Sequence, residues 1–262
     1  MLVESAVSSF HQISSSSVSF NTIFSKIDRG VIVALLVIGT WAISLGGLLS
    51  IDVSSLPIAV KMAAMVWQTF LYTGLFITAH DGMHGAIAPS HPKLNHGIGS
   101  FAVIAYALFS YKQMIRMHWM HHQHPASAQD PDFHDGKHQN FFAWYFHFMM
   151  HYWSWTRVLG LVLLYHFMHH VLHIAEINLV LFWMIPSIAS SVQLFFFGTY
   201  LPHREPETGY QNESRAQSSN WSSFWSFMTC YHFGYHLEHH ENPHLPWWKL
   251  PEIHQRRLLE MS

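Results

Sequence analysis

Three short stretches of this chain carry histidines at the spacing of metal ligands. His80 and His84 flank Asp81-Gly82-Met83, His118, His121 and His122 form a second box, and His236, His239 and His240 a third. On a helix, residues three and four apart share one face, so each box aims its ring nitrogens at one region. Neutral imidazole is a good ligand for divalent transition metals. Eight imidazoles from three segments exceed the four ligands of a tetrahedral zinc site. They suit a pair of metal ions with higher coordination numbers and open positions.

Further residues extend the set. His203 follows Pro202 after a long apolar run and is expected to complete the site as a ninth ligand. His232 lies one helical turn before His236 and is expected as a ligand or as a partner of one. Asp81, Asp130, Asp132 and Glu238 are candidates to ligate metal or to hold the N–H groups of ligating histidines, which metal-bound imidazoles require. His124, His134 and His244 read as ordinary interfacial histidines. Two more patterns, His147-X3-His151 and His166-X2-His169-His170 extended by His173, have formal ligand spacing. The first lies in an aromatic stretch and the second inside an apolar one, away from the other boxes, so both are expected to stay off the metals. The zinc-hydrolase pattern His-Glu-X-X-His is absent, and the ligand set holds no carboxylates of the Glu-rich diiron bundle. Redox-active iron takes imidazole readily, so paired iron working with O2 is the better fit. An oxidant made at a membrane face would act on a lipid-dissolved substrate.

The elements that must position these boxes belong to a membrane protein. Hydrophobic residues make up 50% of the 262 and charged ones 11%, where soluble domains carry about 25% charged residues. A net charge of -2 gives no support to nucleic-acid binding, and Cys230, the sole cysteine, rules out an internal disulfide or a Cys-based zinc site. A crossing helix needs about 20 apolar residues. Val31–Ile51, Ile58–Ala79 and Ile177–Pro202 qualify, the last with a kink expected at Pro186, and Val158–Ala175 is a weaker span. Ile98–Tyr111 is short, either re-entrant or buried against the bundle. The expected fold is all-α: an integral membrane helical bundle of about four spans with a cytoplasmic histidine-rich cap holding a dimetal site. Lys26, Arg29, Lys112, Arg116, Lys137, Arg157, Arg204, Lys249, Arg256 and Arg257 fall on one side and Lys61 near the other. The positive-inside rule then makes the side with the boxes and both termini cytoplasmic. Phe141–Thr156, crowded with aromatic residues, suits a helix in the interface, and Glu205–Ser223 a polar loop. Residues 1–27, Ser-rich and without signal-peptide features, read as a flexible tail, 28–255 as one membrane domain and 256–262 as a C-terminal tail.

With these boxes the chain resembles the membrane fatty-acid desaturase/hydroxylase superfamily. More narrowly it resembles bacterial-type β-carotene ketolases. The resemblance rests on Ala79-His-Asp-Gly-Met-His-Gly85, on Met117-His-Trp-Met-His-His-Gln-His124 leading to Asp130-Pro-Asp-Phe133, on Phe197-Gly-Thr-Tyr-Leu-Pro-His-Arg204, and on Cys230-Tyr-His-Phe-Gly-Tyr-His-Leu-Glu-His-His240 followed by Pro246-Trp-Trp-Lys-Leu-Pro251. It covers about 28–251, and the stretches around His203 and Trp247 are more specific than the boxes. The histidines of 166–173 are outside the family pattern. The resemblance implies a non-haem diiron oxygenase in a bacterial inner or photosynthetic membrane. It would use two Fe, O2 and electrons from a ferredoxin-type donor. The allylic C4 methylene of a β-ionone ring would be hydroxylated twice and lose water to give the ketone, turning β-carotene into echinenone and then canthaxanthin. Whether zeaxanthin is also accepted, leading to astaxanthin, stays open. Trp67, Phe70, Tyr72, Phe101, Tyr106 and Phe109 are expected to line a tunnel that places C4 near the oxidant. An acidic ferredoxin is expected to dock near Lys112, Arg116, Lys249, Arg256 and Arg257.

Rival functions use the same features. A carotenoid 3-hydroxylase or an acyl-lipid desaturase of the same superfamily would need the same metals. A bis-histidine haem electron carrier would need facing histidines deep in two spans, and only one expected span has them. A metal transporter would want ligands along a path through the bilayer, whereas the boxes gather on one side.

Overall fold

The computed structural model describes residues 28–260, and among these all regular structure is helical. The expected tail at 1–27 lies outside the described residues. Helices α1 (Arg29–Ser50) and α2 (Ile58–Met83) form an antiparallel hairpin. Then come α3 (Pro92–Ala107), α4 (Tyr111–Gln123), α5 (Phe141–His151) and α6 (Trp155–His166). The long α7 (Glu176–His203) follows, and the chain ends with α8 (Ser223–Cys230), α9 (His236–Glu241) and α10 (Leu250–Glu260). Three of these, α1, α2 and α7, are long and apolar enough to cross a membrane. The bent pair α3–α4, with 101° between its halves, is a fourth candidate as a broken span or re-entrant loop.

Local sequence explains where these helices start and turn. Pro92 opens α3 at a first-turn position, where its missing N–H is no loss. Ser110, Asn140 and Ser154 cap α4, α5 and α6 by accepting the backbone N–H of Gln113, Ala143 and Arg157. The sharp bend between α3 and α4 is made at Leu108, whose backbone is left-handed with φ 55°. Within α7, a wide turn at Leu179–Met184 precedes Pro186, and a second at Phe196–Tyr200 precedes Pro202. Proline clashes with the carbonyl four residues back, and the wide turn before Pro186 makes room for it. Such turns are rare and frequent at functional sites; the second leads directly to His203.

Packing ties the hairpin to the later helices. α1 is apolar on nearly every side, with Leu35, Leu36 and Ile43 exposed, as suits a helix surrounded by lipid. Asn178 on α7 donates to the carbonyls of Leu48 and Ile51, each at 2.8 Å, closing the C-terminal end of α1. The inner half of α2 is the core of the molecule: Tyr72, Leu75, Ile77 and Ala79 are inaccessible and pack with Val103, Tyr106 and Leu194. Asn95 on α3 donates to the Gly82 carbonyl at 2.7 Å and accepts the N–H groups of Ile87 and Ala88. That fixes the loop just after α2, where His84 sits.

Two boundaries differ from expectation. The apolar stretch Val158–Ala175 is a 12-residue helix prolonged by a five-residue wide turn ending at Val171. At about 1.5 Å per residue this reaches about 25 Å, short of the ~30 Å hydrocarbon core. Left-handed His173 then turns the chain, which by this stage has passed from the end of the bundle that holds His121 to the far end, where Asn178 meets the last turn of α1. At the other end, α10 continues past residue 255 to Glu260, because Arg257 is anchored to Glu238 at 3.2 Å and to Glu241.

Candidate metal centre

Four elements converge at one end of the bundle. The last turn of α2 supplies His80 and its C-terminal cap supplies His84. α4 supplies His118, His121 and His122, the end of α7 supplies His203, and α9 supplies His236, His239 and His240. Their ligand atoms fall into two groups, each spanning no more than 4.8 Å: five from His80, His84, His118, His122 and His239, and four from His121, His203, His236 and His240. All nine are buried or half-buried.

The donor set fits metal ions. Within the first group, His84 Nε2 lies 2.7 Å from His118 Nε2, and His122 Nε2 3.0 Å from His239 Nε2. Within the second, His240 Nε2 is 3.1 Å from both His121 Nε2 and His236 Nε2. Two ligands at about 2.1 Å and about 90° on one ion lie about 3.0 Å apart. His80 Nε2 and His203 Nε2 are buried with no protein partner, an unfavourable state that a cation would relieve. Burial, reinforced by neighbouring imidazoles, holds His236, His239 and His240 well below the ordinary histidine range. They are therefore neutral, the form in which imidazole ligates.

Hydrogen bonds orient several rings. His121 Nδ1 sits 3.0 Å from both oxygens of Asp130, which also accepts the N–H groups of Ala126 and Asp132. His203 Nδ1 donates to the Arg215 carbonyl at 2.9 Å, turning Nε2 inward. Burial raises the Asp130 carboxyl, but the charge and hydrogen bond of His121 outweigh it, and the group lies below its usual range. Asp132 is pushed up to about 6 by burial and accepts the Tyr152 hydroxyl at 2.6 Å.

The other candidates have different surroundings. Asp81 accepts the Trp247 N–H at 3.3 Å, joining the first box to the Pro246-Trp247-Trp248 stretch. Glu238 meets no histidine of either group. Two residues after His236, it points from the opposite face of α9 and binds His254 at 3.0 Å, Ser218 and Arg257. His232 also lies outside both groups, stacked near Tyr235 and Trp247 on a left-handed backbone. His147 and His151 contact each other, His166 stacks on His170, and His169 binds the Ile174 carbonyl. Two partners escaped the sequence reading, Arg215 and His254. Arg215 acts through its backbone oxygen, which leaves no trace in residue type. His254 is the one buried histidine of α10, and its spacing to Glu238 crosses a loop.

Both groups open on one apolar cavity. Its wall includes His80, His118, His121 and His236, with Phe76, Met83, Phe109, Met114, Phe148 and Phe233. Gly198 lies against Phe233: a Cβ there would stand 2.3 Å from the ring. Phe233 is held in turn 4.7 Å from the His80 ring and 5.1 Å from that of His236. Of the six aromatic residues expected to line a tunnel, Tyr106 and Phe109 do so. Trp67 and Phe101 are exposed on the outer faces of their helices, and Phe70 and Tyr72 are packed against Tyr231 and Trp41. In the expected basic patch, Lys249 and Arg256 pair with Glu252 and Arg257 with Glu238 and Glu241, whereas Lys112 and Arg116 are exposed on α4.

Comparison with known proteins bears on these features. Residues 151–261 match the fatty acid desaturase family. The β-carotene ketolase of Paracoccus sp. (strain N81106 / MBIC 01143) is 39% identical over 218 residues, covering 82% of this chain and 88% of that protein. The β-carotene ketolase of Haematococcus lacustris is 38% identical over 262 residues, 88% of this chain and 79% of its own length. A zeaxanthin 4-ketolase of Chlamydomonas reinhardtii is 40% identical over 228 residues, 84% of this chain and 50% of its own.

Proposed function

Because the chain belongs to the β-carotene ketolases, within the fatty acid desaturase family, we propose that it oxidises C4 and C4' of β-ionone rings at two iron ions held by its nine converging histidines. One observation carries this reading: a group of five and a group of four histidines share the wall of one apolar cavity. The iron pair, when bound, supplies the reductive activation of O2 that ring hydroxylation needs. Each hydroxylation consumes O2, two electrons and two protons and releases water. The second leaves a geminal diol, which loses water to the ketone. The protein's own part is orientation. Phe109, Phe148 and Phe233 enclose the ring, exclude water and present the allylic methylene to His80, His118, His121 and His236. Tyr152 holds its hydroxyl proton on Asp132 at the same wall.

The basic residues favour placing the histidine end on the cytoplasmic side. Exposed Lys112 and Arg116 precede the second box on α4 and suit an acidic ferredoxin-type donor. Charge reversal at these two should slow electron delivery without loss of iron; unchanged turnover would remove the donor from this face. The name of the Chlamydomonas relative favours acceptance of 3-hydroxylated rings as well.

The test is pigment analysis after expression in a bacterium that accumulates β-carotene. Echinenone and canthaxanthin should appear, and His121→Ala should abolish both. Hydroxylated products would move the chain to the 3-hydroxylases. Unchanged β-carotene, with the protein present, iron-loaded and supplied with reductant, would remove the carotenoid reading.

A further inference from the structure

A second apolar cavity lies between α6 and α7, walled by Leu161, Val162 and His166 on one side and by Met184, Ser187 and Ile188 on the other. Val162, Met184 and Ile188 are also exposed on the flank of the bundle, so the groove opens towards lipid. At its inner end stands Tyr106, which lines the histidine-walled cavity too. The Tyr106 ring is 5.4 Å from Phe76 and 6.2 Å from Phe109, both of them wall residues of the inner cavity. Its hydroxyl reaches across to α7, 3.2 Å from the Ser187 carbonyl and 3.3 Å from Ser190 Oγ. One aromatic ring on two hydrogen bonds thus stands in the wall of both the chamber that faces the histidines and the groove on the flank of the bundle.

The proposed substrate has a shape that needs both. β-Carotene is a stiff conjugated rod with a ring at each end. With one ring against the histidines, the rod cannot fold back and must leave the chamber through an apolar opening. The buried α2 core walls the chamber on one side and α9, which carries the histidines, on another. We propose that the groove between α6 and α7 holds the polyene chain and the unreacted ring while the other ring is oxidised, and that Tyr106 turns aside to let the chain pass. The proposal rests on the ketolase reading. It assigns α6 a role as the outer wall of a substrate groove.

Chain-length dependence tests it. The purified, iron-loaded, reductant-supplied enzyme is assayed on β-carotene and on a series of β-ring compounds with progressively shorter polyene chains. In the wild type, kcat/KM should fall by about tenfold or more once the chain no longer reaches the groove, because apolar contacts there contribute to binding the whole substrate. Val162→Trp and Ile188→Trp each place an indole in the groove from a lipid-exposed position, one from each wall. In both variants the ratio of kcat/KM between full-length and shortest substrates should collapse towards one. A wild type indifferent to chain length overturns the proposal and leaves the groove to membrane lipid. Tryptophan variants that lose the same factor on every substrate overturn it as well, since that pattern reports a structural defect. A wild type that oxidises no β-ring of any length refutes the ketolase reading instead.

Discussion

Asp130→Asn separates the two histidine groups. Both Asp130 oxygens lie 3.0 Å from His121 Nδ1, on the side of the ring away from the nitrogen that faces His240. The carboxylate charge therefore stands about 7 Å from a divalent cation on that second nitrogen, an interaction of about 5 kcal/mol at an effective dielectric of about 20, before the cost of desolvating the charges. Asparagine keeps one acceptor oxygen but loses the charge and the acceptor for one of the Ala126 and Asp132 N–H groups. Outer partners of ligating histidines typically contribute about 10–100-fold to metal affinity, or about 1.4–2.7 kcal/mol. The assay is titration of metal-free protein with Co2+ against a competing chelator. Two binding steps are expected in the wild type, and in Asp130→Asn only one should weaken, by that factor. That step belongs to the group of His121, His203, His236 and His240. Unmoved steps would mean Asp130 does not support a ligand. Steps that weaken together with loss of helicity would make it a folding residue.

Other perturbations follow from neighbouring contacts. Glu238→Gln leaves the buried His254 without its carboxylate partner and Arg257 with Glu241 alone. Melting should show about 1–3 kcal/mol of lost stability, with β-carotene turnover falling because α9 loosens; an unchanged Tm would refute this. Gly198→Ala sets a methyl 2.3 Å from Phe233, and overpacking of this kind should lower stability by about 1–3 kcal/mol. Turnover should fall further than stability does, since Phe233 lies against His80 and His236. Burial pushes His232 down to about 4. Between about 4 and its ordinary 6.5 the unfolded chain binds a proton that the folded one does not, so stability is lost as pH falls through that window. His232→Asn, suited to the left-handed backbone there, should flatten that part of the acid limb; an unaltered limb would assign it to other groups. Replacing His166 and His170 together with alanine should leave bound iron per chain unchanged, and a loss measured by elemental analysis would bring them into the metal set.

What could be read from the sequence depended on how local each feature is. Boxes of histidines are legible because ligands on one helical face must recur at three and four residues. Apolar composition marked α1, α2 and α7 as well as 158–175, but it gave no sign of the backbone there, where the regular helix gives way to a wide turn and then to His173 at φ 55°. Residue type cannot tell which aromatic side chains line a cavity. Phe101 lies on the exposed face of α3, whereas Phe109 follows the bend at Leu108 and enters the cavity wall. Glu238 was misplaced for a simpler reason, since two residues along a helix reverse the face.

The division of the histidines into two groups has its own logic. Successive residues on a helix diverge by about 100°, so a His-His doublet cannot aim both rings at one point. His121 and His122 accordingly enter different groups, and so do His239 and His240. α4 gives its i, i+4 pair, His118 and His122, to the first group and His121 to the second. α9 does the reverse, giving His236 and His240 to the second and His239 to the first. The boxes of α4 and α9 thus each serve both groups, with opposite weighting, and the two helices together hold the groups at a fixed separation. A single box of this pattern would send two imidazoles to one group and leave the third alone at the other, and the facing box with the opposite weighting supplies what each lacks. The two helices give each group three ligands; His80 and His84 then bring the first to five and His203 the second to four. α2 and α7, which carry them, are also the helices whose side chains wall the inner cavity, so the elements that set the metal positions also set the position of the ring to be oxidised.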